Sequence, residues 1–314
     1  MMTRRVYLTG ATASYFLLTL PLLESFAQHA RPGETLYVCD YGLSEAQRNF
    51  LRRKGQLLER PSSLAPNLHP YRYKASMGLF AQAHGLDADA VVWIDSDCLV
   101  TGPLTQAIDQ VLASYDDSRD FLAICQDMGG SIADILRTLP VAPFADMLAD
   151  TNIPLENPYL NCAVFVLRCR DLLKEWQERV KDIQEHPLFE QNLLNILAYD
   201  RLKEIRLLDR EVWNVHDLDL DRLQVRKDSQ TDQATVYLGS KEVLVVHATS
   251  YEGRTVLFRP IRLPVTQGYA IDGLIRLVNN PPVRDLFLSA TTWYLVKNKK
   301  DLIDSGVAVK VGRD

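Results

Sequence analysis

Residues 90–97 read Ala90-Val91-Val92-Trp93-Ile94-Asp95-Ser96-Asp97. Five apolar residues in a row fit a strand covered on both faces, because a half-exposed strand would alternate apolar and polar positions. Such strands belong to layered α/β sheets, where ligands bind beyond the carboxyl ends of the strands. Two carboxylates one residue apart at that position repel unless a proton or cation lies between them. A hard divalent cation with oxygen ligands, Mg²⁺ or Mn²⁺, resolves the conflict and also grips phosphate oxygens. The competing role for either aspartate is a helix cap or turn residue.

Outward from this stretch the same strand–helix alternation continues. Val6-Tyr7-Leu8 is a short β-type run, followed by the turn-prone residues 9–14. Leu18, Leu22 and Phe26 then recur at helical spacing, with Pro21 expected to kink that helix or shift its start. Thr35 to Cys39 is the next strand, and Ser44 with Gln47 predicts a capping box for a helix running to about Lys54. Apolar strands recur at Phe121–Cys125, Ala163–Leu167 and Val243–Val246, with helical patterns over Leu172–Ile183 and Phe189–Tyr199. This order predicts an α/β layered sheet. Asp217–Gln233 is the most polar stretch and is expected to be a surface excursion. Pro281-Pro282 is expected to separate two C-terminal helical patterns, and Lys297, Lys299 and Lys300 to form a solvated helix end.

His247 directly follows Val243–Val246, so the sheet rule places it on the same edge as Asp95 and Asp97. An imidazole completing a carboxylate site favours Mn²⁺ over Mg²⁺. A nucleoside diphosphate also needs positive charge, for which Lys74, with Arg72 nearby, and Arg254 are the candidates.

The bulk numbers narrow the field. A chain of 314 residues, 47% hydrophobic and 24% charged, is composed like an ordinary globular protein, and its net charge of −5 argues against a dedicated nucleic-acid binder. The five cysteines, Cys39, Cys98, Cys125, Cys162 and Cys169, include no CxxC pair and read as buried free thiols, which fits a cytoplasmic, reducing setting. Arg4, Arg5 and the run Val6–Leu23 outline a secretory signal, but Thr9, Gly10, Thr12, Ser14, Thr19 and Pro21 interrupt it. That run divides more naturally into a strand and a helix. No other stretch approaches the ~20 apolar residues of a membrane span.

The strand with its Asp95-Ser96-Asp97 resembles the hallmark of GT-A glycosyltransferases. Four further segments are similar to glycosyltransferase family eight, the glycogenin and bacterial galactosyltransferase-like enzymes. These are Tyr159-Leu160-Asn161-Cys162-Ala163-Val164, Glu190-Gln191-Asn192-Leu193-Leu194-Asn195, the pair Trp213-Asn214, and His247. The resemblance runs in order from Val6 to about Arg254. It implies a GT-A fold over residues 1–260, with a mixed, mainly parallel sheet, and a C-terminal helical extension over 261–314. It further implies a metal-dependent transferase that moves a hexose from a nucleotide sugar, UDP-sugar favoured, with retention of configuration. Asp95, Asp97 and His247 would hold Mn²⁺ or Mg²⁺. Thr9, Gly10, Ala11 and Tyr15 would hold the nucleoside, with Ser96, Lys74 and Arg254 also on the donor. Asp127 and Asn161 would orient sugar hydroxyls, and Glu190 and Gln191 would sit at the donor sugar, Gln191 near the anomeric carbon. The acceptor, whether glycan, glycolipid or protein, is not specified, and self-association stays open.

The chain departs from the family pattern at Ala163, Glu190 and Asn192, and lacks the phosphate-gripping lysine in register after His247. Other readings of the same residues are a haloacid-dehalogenase-like phosphotransferase using Asp95, a nucleotidylyltransferase, and a catalytically silent nucleotide-sugar-binding protein. A phosphotransferase of that type usually has Thr or Val where Leu99 stands, and residues 9–14 carry no Lys or Arg for a nucleotidylyltransferase loop.

Overall fold

The structure, a computed structural model, describes residues 4–115, 120–139, 142–227, 234–250 and 253–311. The chain begins β1 (Arg5–Ala11), α1 (Phe16–His29), β2 (Leu36–Asp40), α2 (Glu45–Arg53), β3 (Leu57–Leu58), α3 (Pro70–Ala75) and α4 (Met77–Ala83). It continues with β4 (Ala90–Ile94), β5 (Cys98–Val100), α5 (Leu104–Ala113), β6 (Phe121–Ser131), α6 (Ile132–Thr138), α7 (Ala142–Ala149) and β7 (Pro158–Arg168). Then come α8 (Arg170–Arg179), α9 (Phe189–Arg201), β8 (Ile205–Leu208), α10 (Arg210–Trp213) and a 3₁₀ turn over Asp217–Arg222. The last part holds β9 (Leu223–Lys227), β10 (Ala234–Leu238), β11 (Lys241–Glu242), β12 (Val245–His247), β13 (Val256–Thr266), β14 (Tyr269–Val278), α11 (Pro281–Lys297), α12 (Lys299–Asp304) and β15 (Val309–Lys310).

The result is a mixed α/β protein whose main sheet has seven strands in the order β3-β2-β1-β4-β7-β6-β8. The β1–β4, β2–β3 and β6–β8 pairings are parallel, whereas β7 runs against both its neighbours, β4 and β6. All five residues of β4 are buried, as its unbroken apolar run requires. The chain divides into two compact units. The first comprises Met1–Leu8, Pro61–Ile94 and Gln110–Arg210, and the second Thr9–Arg60, Asp95–Asp109 and Glu211–Asp314.

In the first unit, β6 and β7 pair with register shifts after Ile124 and after Gln126. Such irregularities unpair backbone groups and re-aim side chains, and here the slack is taken up by α9. Asn195 accepts from the Leu160 N–H at 2.7 Å and donates to the Leu160 carbonyl at 2.9 Å, acting as a substitute strand neighbour. Phe189 to Ala198 are all buried, so α9 lies inside the protein and its polar side chains must find partners there. Gly130, at φ +90°, makes the turn into the Ser131–Asp134 capping box of α6.

The second unit contains three smaller sheets: β11-β10-β9, β12-β5 and β13-β14-β15. Its apolar cluster includes Leu99, Val215, Val236, Val246, Val256, Val278 and Phe287. Helix α2 starts on the expected box, Ser44 accepting from Gln47 N–H and Gln47 Oε1 accepting from Ser44 N–H. Pro21 sits inside α1, which runs from Phe16 to His29 as one helix.

Three expectations are corrected. Residues 261–278, read as part of a helical extension, belong with Val256 to Pro260 to the hairpin β13–β14, whose register runs from Val256↔Val278 to Thr266↔Tyr269. The run Val256-Leu257-Phe258 is strand-like, but Ile271, Leu274, Ile275 and Val278 recur at helical spacing, and pairing with β13 overrides that local pattern. The C-terminal extension is thus a hairpin followed by helices, and its expected boundary at residue 260 falls inside β13. Second, Thr9, Gly10 and Ala11 belong to β1 and not to a loop. Third, β12 lies outside the main sheet and pairs antiparallel with β5. Residues 228–233 of the expected surface excursion, and Tyr251 and Glu252, lie outside the described residues.

All five cysteines are buried and free, as their spacing suggests. Burial pushes the Cys169 thiol up to about 11, and Cys39 and Cys125 are pushed up as well by burial. Among the described residues no helix is long and apolar enough to cross a membrane.

Candidate functional site

The second unit brings Asp97 and His247 together. The chain turns after β4, with Cys98 N–H on the Asp95 carbonyl at 3.1 Å, and enters β5. Because β5 pairs antiparallel with β12, Cys98 stands opposite His247 and Asp97 lies one residue before it. Ala248 N–H donates to the Asp97 carbonyl at 3.0 Å and closes the approach. Asp97 Oδ1 is 3.3 Å from His247 Nε2, and both side chains are more than nine-tenths buried. Residues 213–217 run beside β12, with Val215 N–H on the Val245 carbonyl and His247 N–H on the Val215 carbonyl. That places Asn214 Oδ1 3.1 Å from His247 Nδ1.

His247 meets an oxygen at each ring nitrogen, Asn214 Oδ1 at Nδ1 and Asp97 Oδ1 at Nε2, and a neutral imidazole can donate to one of them alone. At Nε2 a proton or a metal ion satisfies the contact with the carboxylate. Two ligands on one Mg²⁺- or Mn²⁺-like ion, each about 2.1 Å away and at right angles, stand about 3 Å apart. The Asp97–His247 separation fits, and the Asn214 contact is the outer hydrogen bond that metal-bound histidines usually carry. Asp97, Cys98 and His247 form a group whose ligand atoms lie within 4.8 Å of one another. Asp95, expected as the third ligand, is outside that group; it is half-buried in the turn, as is Ser96.

The second oxygen of Asp97 is taken by a residue that the sequence reading missed. Arg276, on β14, donates from Nη1 to Asp97 Oδ2 and to the Ala248 carbonyl. Burial alone would raise the Asp97 pKa, but the Arg276 guanidinium and His247 outweigh it and hold the carboxyl well below the usual range. Burial alone would lower the Arg276 pKa, but Asp97, Tyr15 and Asp95 together outweigh it and push the guanidinium up. Its guanidinium lies 4.5 Å from the Phe258 ring and 5.9 Å from that of Tyr15. Nothing in Leu274-Ile275-Arg276-Leu277-Val278 marks the arginine as more than the polar position of a strand, which is why the sequence did not single it out.

The remaining nucleoside candidates take different places. Gly10 has no room for a side chain, since a Cβ there would lie 2.2 Å from the Tyr41 ring. Its glycine therefore seats Tyr41, which accounts for it without a ligand. Thr9 is fully buried in β1. Tyr15 precedes α1 and lies beside Arg276. Arg254 is exposed, and its carbonyl accepts from Asn279 Nδ2.

The first unit gathers the expected sugar-contacting residues. Asp127 Oδ2 accepts from Asn161 Nδ2 at 2.7 Å and from Gln191 Nε2 at 3.1 Å. Gln191 Oε1 in turn accepts from Cys162 N–H at 3.1 Å, and Asn161 Oδ1 from Ala163 N–H at 2.9 Å. Glu190 lies 4.0 Å from Lys74 Nζ, both buried, and Lys74 Nζ is 5.6 Å from the centre of the Trp93 ring. Asn192, where the family pattern has an acid, accepts from the Tyr159 hydroxyl at 2.6 Å and meets His186 Nε2 at 3.1 Å. An amide answers both of those partners, so this departure has a local structural reason. Arg72 is engaged elsewhere, donating to the Lys181 and Ile183 carbonyls at 2.7 Å.

No protein-family model and no curated protein matches the sequence. Among solved structures the chain is similar to the galactosyltransferase LgtC in complex with donor and acceptor sugar analogs, at 16% identity and a TM-score of 0.47, over 77% of this chain and 86% of that one. It is similar to the apo WbbM bifunctional glycosyltransferase at 16% identity and a TM-score of 0.46, over 68% of this chain but only 40% of that one. The glycosyltransferase GlyE of Streptococcus pneumoniae is 12% identical with a TM-score of 0.47, over 100% of this chain and 66% of its own.

Proposed function

We propose that the protein is a glycosyltransferase that moves a hexose from a nucleotide sugar, UDP-sugar favoured, to a glycan, glycolipid or protein acceptor. The reading is carried by one observation: Asp97 Oδ1 and His247 Nε2 lie 3.3 Å apart in a buried group of potential metal ligands, with Asn214 Oδ1 3.1 Å from the other ring nitrogen. Asp97 and His247 would hold Mn²⁺ or Mg²⁺, with Asp95 supplying further negative charge nearby. When bound, that ion offsets charge on the departing nucleoside diphosphate.

The chain's own residues supply the rest. Tyr15, with Thr9 to Ala11 behind it in β1, flanks the nucleoside. Asp127, Asn161 and Gln191 form a hydrogen-bonded set of one carboxylate and two amides, suited to sugar hydroxyls, which need both donors and acceptors. Gln191 and Glu190 provide oxygens to stabilise positive charge developing on the sugar ring, and Lys74 Nζ lies 4.0 Å from Glu190. Retention of configuration follows from the family resemblance. The buried free thiols fit a cytoplasmic enzyme.

The test is thermal stability against UDP, GDP, ADP and their sugar conjugates, with and without Mn²⁺, followed by donor hydrolysis. A ligand that binds the native state raises Tm by mass action. A Mn²⁺-dependent shift with one nucleotide, lost in Asp97→Ala, supports the reading and names the base. No shift with any nucleotide sinks it, and phosphate release from a generic phosphoester would point to Asp95 as a phosphotransferase nucleophile. Binding without donor turnover would mark a silent binding protein.

A further inference from the structure

Arg276 and a divalent ion make claims on the same carboxylate. Asp97 gives Oδ2 to the guanidinium and turns Oδ1 to His247, so a metal bound there would share the buried Asp97 carboxylate with a fixed cation. The guanidinium is not fully spent on that bond. Its bonds to Asp97 and the Ala248 carbonyl both use Nη1, the Tyr15 side chain is a further partner, and the buried Nε has no hydrogen-bond partner. The Phe258 ring lies 4.5 Å from it, a contact that leaves the guanidinium's N–H groups to other partners.

We infer that Arg276 is the residue that grips the donor's diphosphate, passing from Asp97 to a phosphate oxygen when the nucleotide arrives with its metal. The inference rests on the donor-site reading above and deepens it. Charge supports it. Asp95 and Asp97 against one guanidinium leave the cluster net negative, and a divalent ion makes it net positive, the sign a diphosphate needs. Without Arg276 the same cluster with its metal would be neutral. Chemistry supports it too, because the planar fork of arginine matches phosphate oxygens in pairs. The lysine expected after His247 is missing, and Arg254, the substitute suggested by the sequence, is exposed. Arg276 reaches Asp97 and the Ala248 carbonyl from β14.

The exchange predicts opposite effects from one substitution. In Arg276→Gln, Mn²⁺ alone loses its competitor for Asp97, while the diphosphate loses its partner. Isothermal titration of the wild type and Arg276→Gln is run with Mn²⁺ alone, and with UDP at saturating Mn²⁺. GDP or ADP replaces UDP where that is the one that stabilises the wild type. The expected result is Mn²⁺ binding about fivefold tighter and nucleotide binding about tenfold weaker in the variant, the lower range of site-to-site coupling. A merely structural arginine would weaken both, and that result, or no change in either, overturns the inference. Should Arg276→Gln fail to fold, Arg276→Lys decides. It keeps the charge on Asp97 but loses the fork, so Mn²⁺ affinity should hold while nucleotide affinity falls about threefold or more; unchanged nucleotide affinity overturns the inference. If the wild type binds no nucleotide at all, the donor-site reading falls and this inference with it. Wild-type binding that the variants match sinks this inference alone.

Discussion

The two polar clusters bury a carboxylate by opposite means. In the second unit, Asp97 is answered by charge, with Arg276 on one oxygen and an imidazole on the other. In the first unit, Asp127 is answered by two neutral amides, Asn161 and Gln191, which are themselves anchored on the backbone of β7. Burying an ion is costly in both cases and has to be offset. A neighbouring cation can be exchanged for another cation, which is why the proposed metal and phosphate roles fall on the Asp97 cluster. Amides anchored to a strand cannot be exchanged, but they can present donors and acceptors to a neutral, hydroxyl-bearing group. Difference in function thus follows from the kind of partner more than from the carboxylate.

The sharpest way to break this contrast is Asp97→Asn. It removes the charge both cations need, so Mn²⁺-dependent stabilisation by the nucleotide should vanish and donor hydrolysis should fall about 10³-fold or more, the scale on which removal of a transition-state electrostatic partner is felt. It also leaves Arg276 buried without its counter-charge, at about 3–5 kcal/mol of stability, to be read by denaturant unfolding. Mn²⁺ dependence that survives would detach the metal from Asp97.

Asp127→Asn tests the other cluster. It turns an N–H toward the Asn161 and Gln191 donors, so hydrolysis should drop about 10²-fold while Mn²⁺ affinity stays as it was. A loss of Mn²⁺ affinity would mean that the clusters do not have separate tasks. Asn214→Ala removes the acceptor that fixes His247 and should weaken Mn²⁺ binding about 10-fold or more, with direct titration as the readout. Arg254→Gln is the smallest case. On an exposed side chain it should change nucleotide affinity less than about twofold, and a larger drop would return the phosphate role to Arg254.

Local patterns were legible wherever one residue type in one spacing has few structural outcomes. The buried strand ending at Asp95-Ser96-Asp97, the Ser44–Gln47 box and the Leu18–Leu22–Phe26 stripe each specify an element through nearest neighbours. Asp127, Asn161 and Gln191, which the family resemblance alone named together, do meet, from β6, β7 and α9. His247 was placed beside Asp97 for the wrong reason: the expected partner was an edge of the main sheet, and the actual one is the short β5–β12 ladder. Gly10, which the sequence placed in a turn, lies in β1 against the Tyr41 ring, a neighbour no local pattern names.

By itself the sequence determined the alternation of buried strands and helices, the free buried cysteines and the chemical types available for a metal and sugar site. These follow from periodicity and composition, which act within a few residues. The tertiary structure alone decided that residues 256–278 fold as a hairpin, that Asp95 stays outside the Asp97–His247 group, and that Arg276 completes it. Each depends on side chains up to 179 residues apart in sequence meeting in a buried place. There the need to pair charge, and not local propensity, chooses the partner.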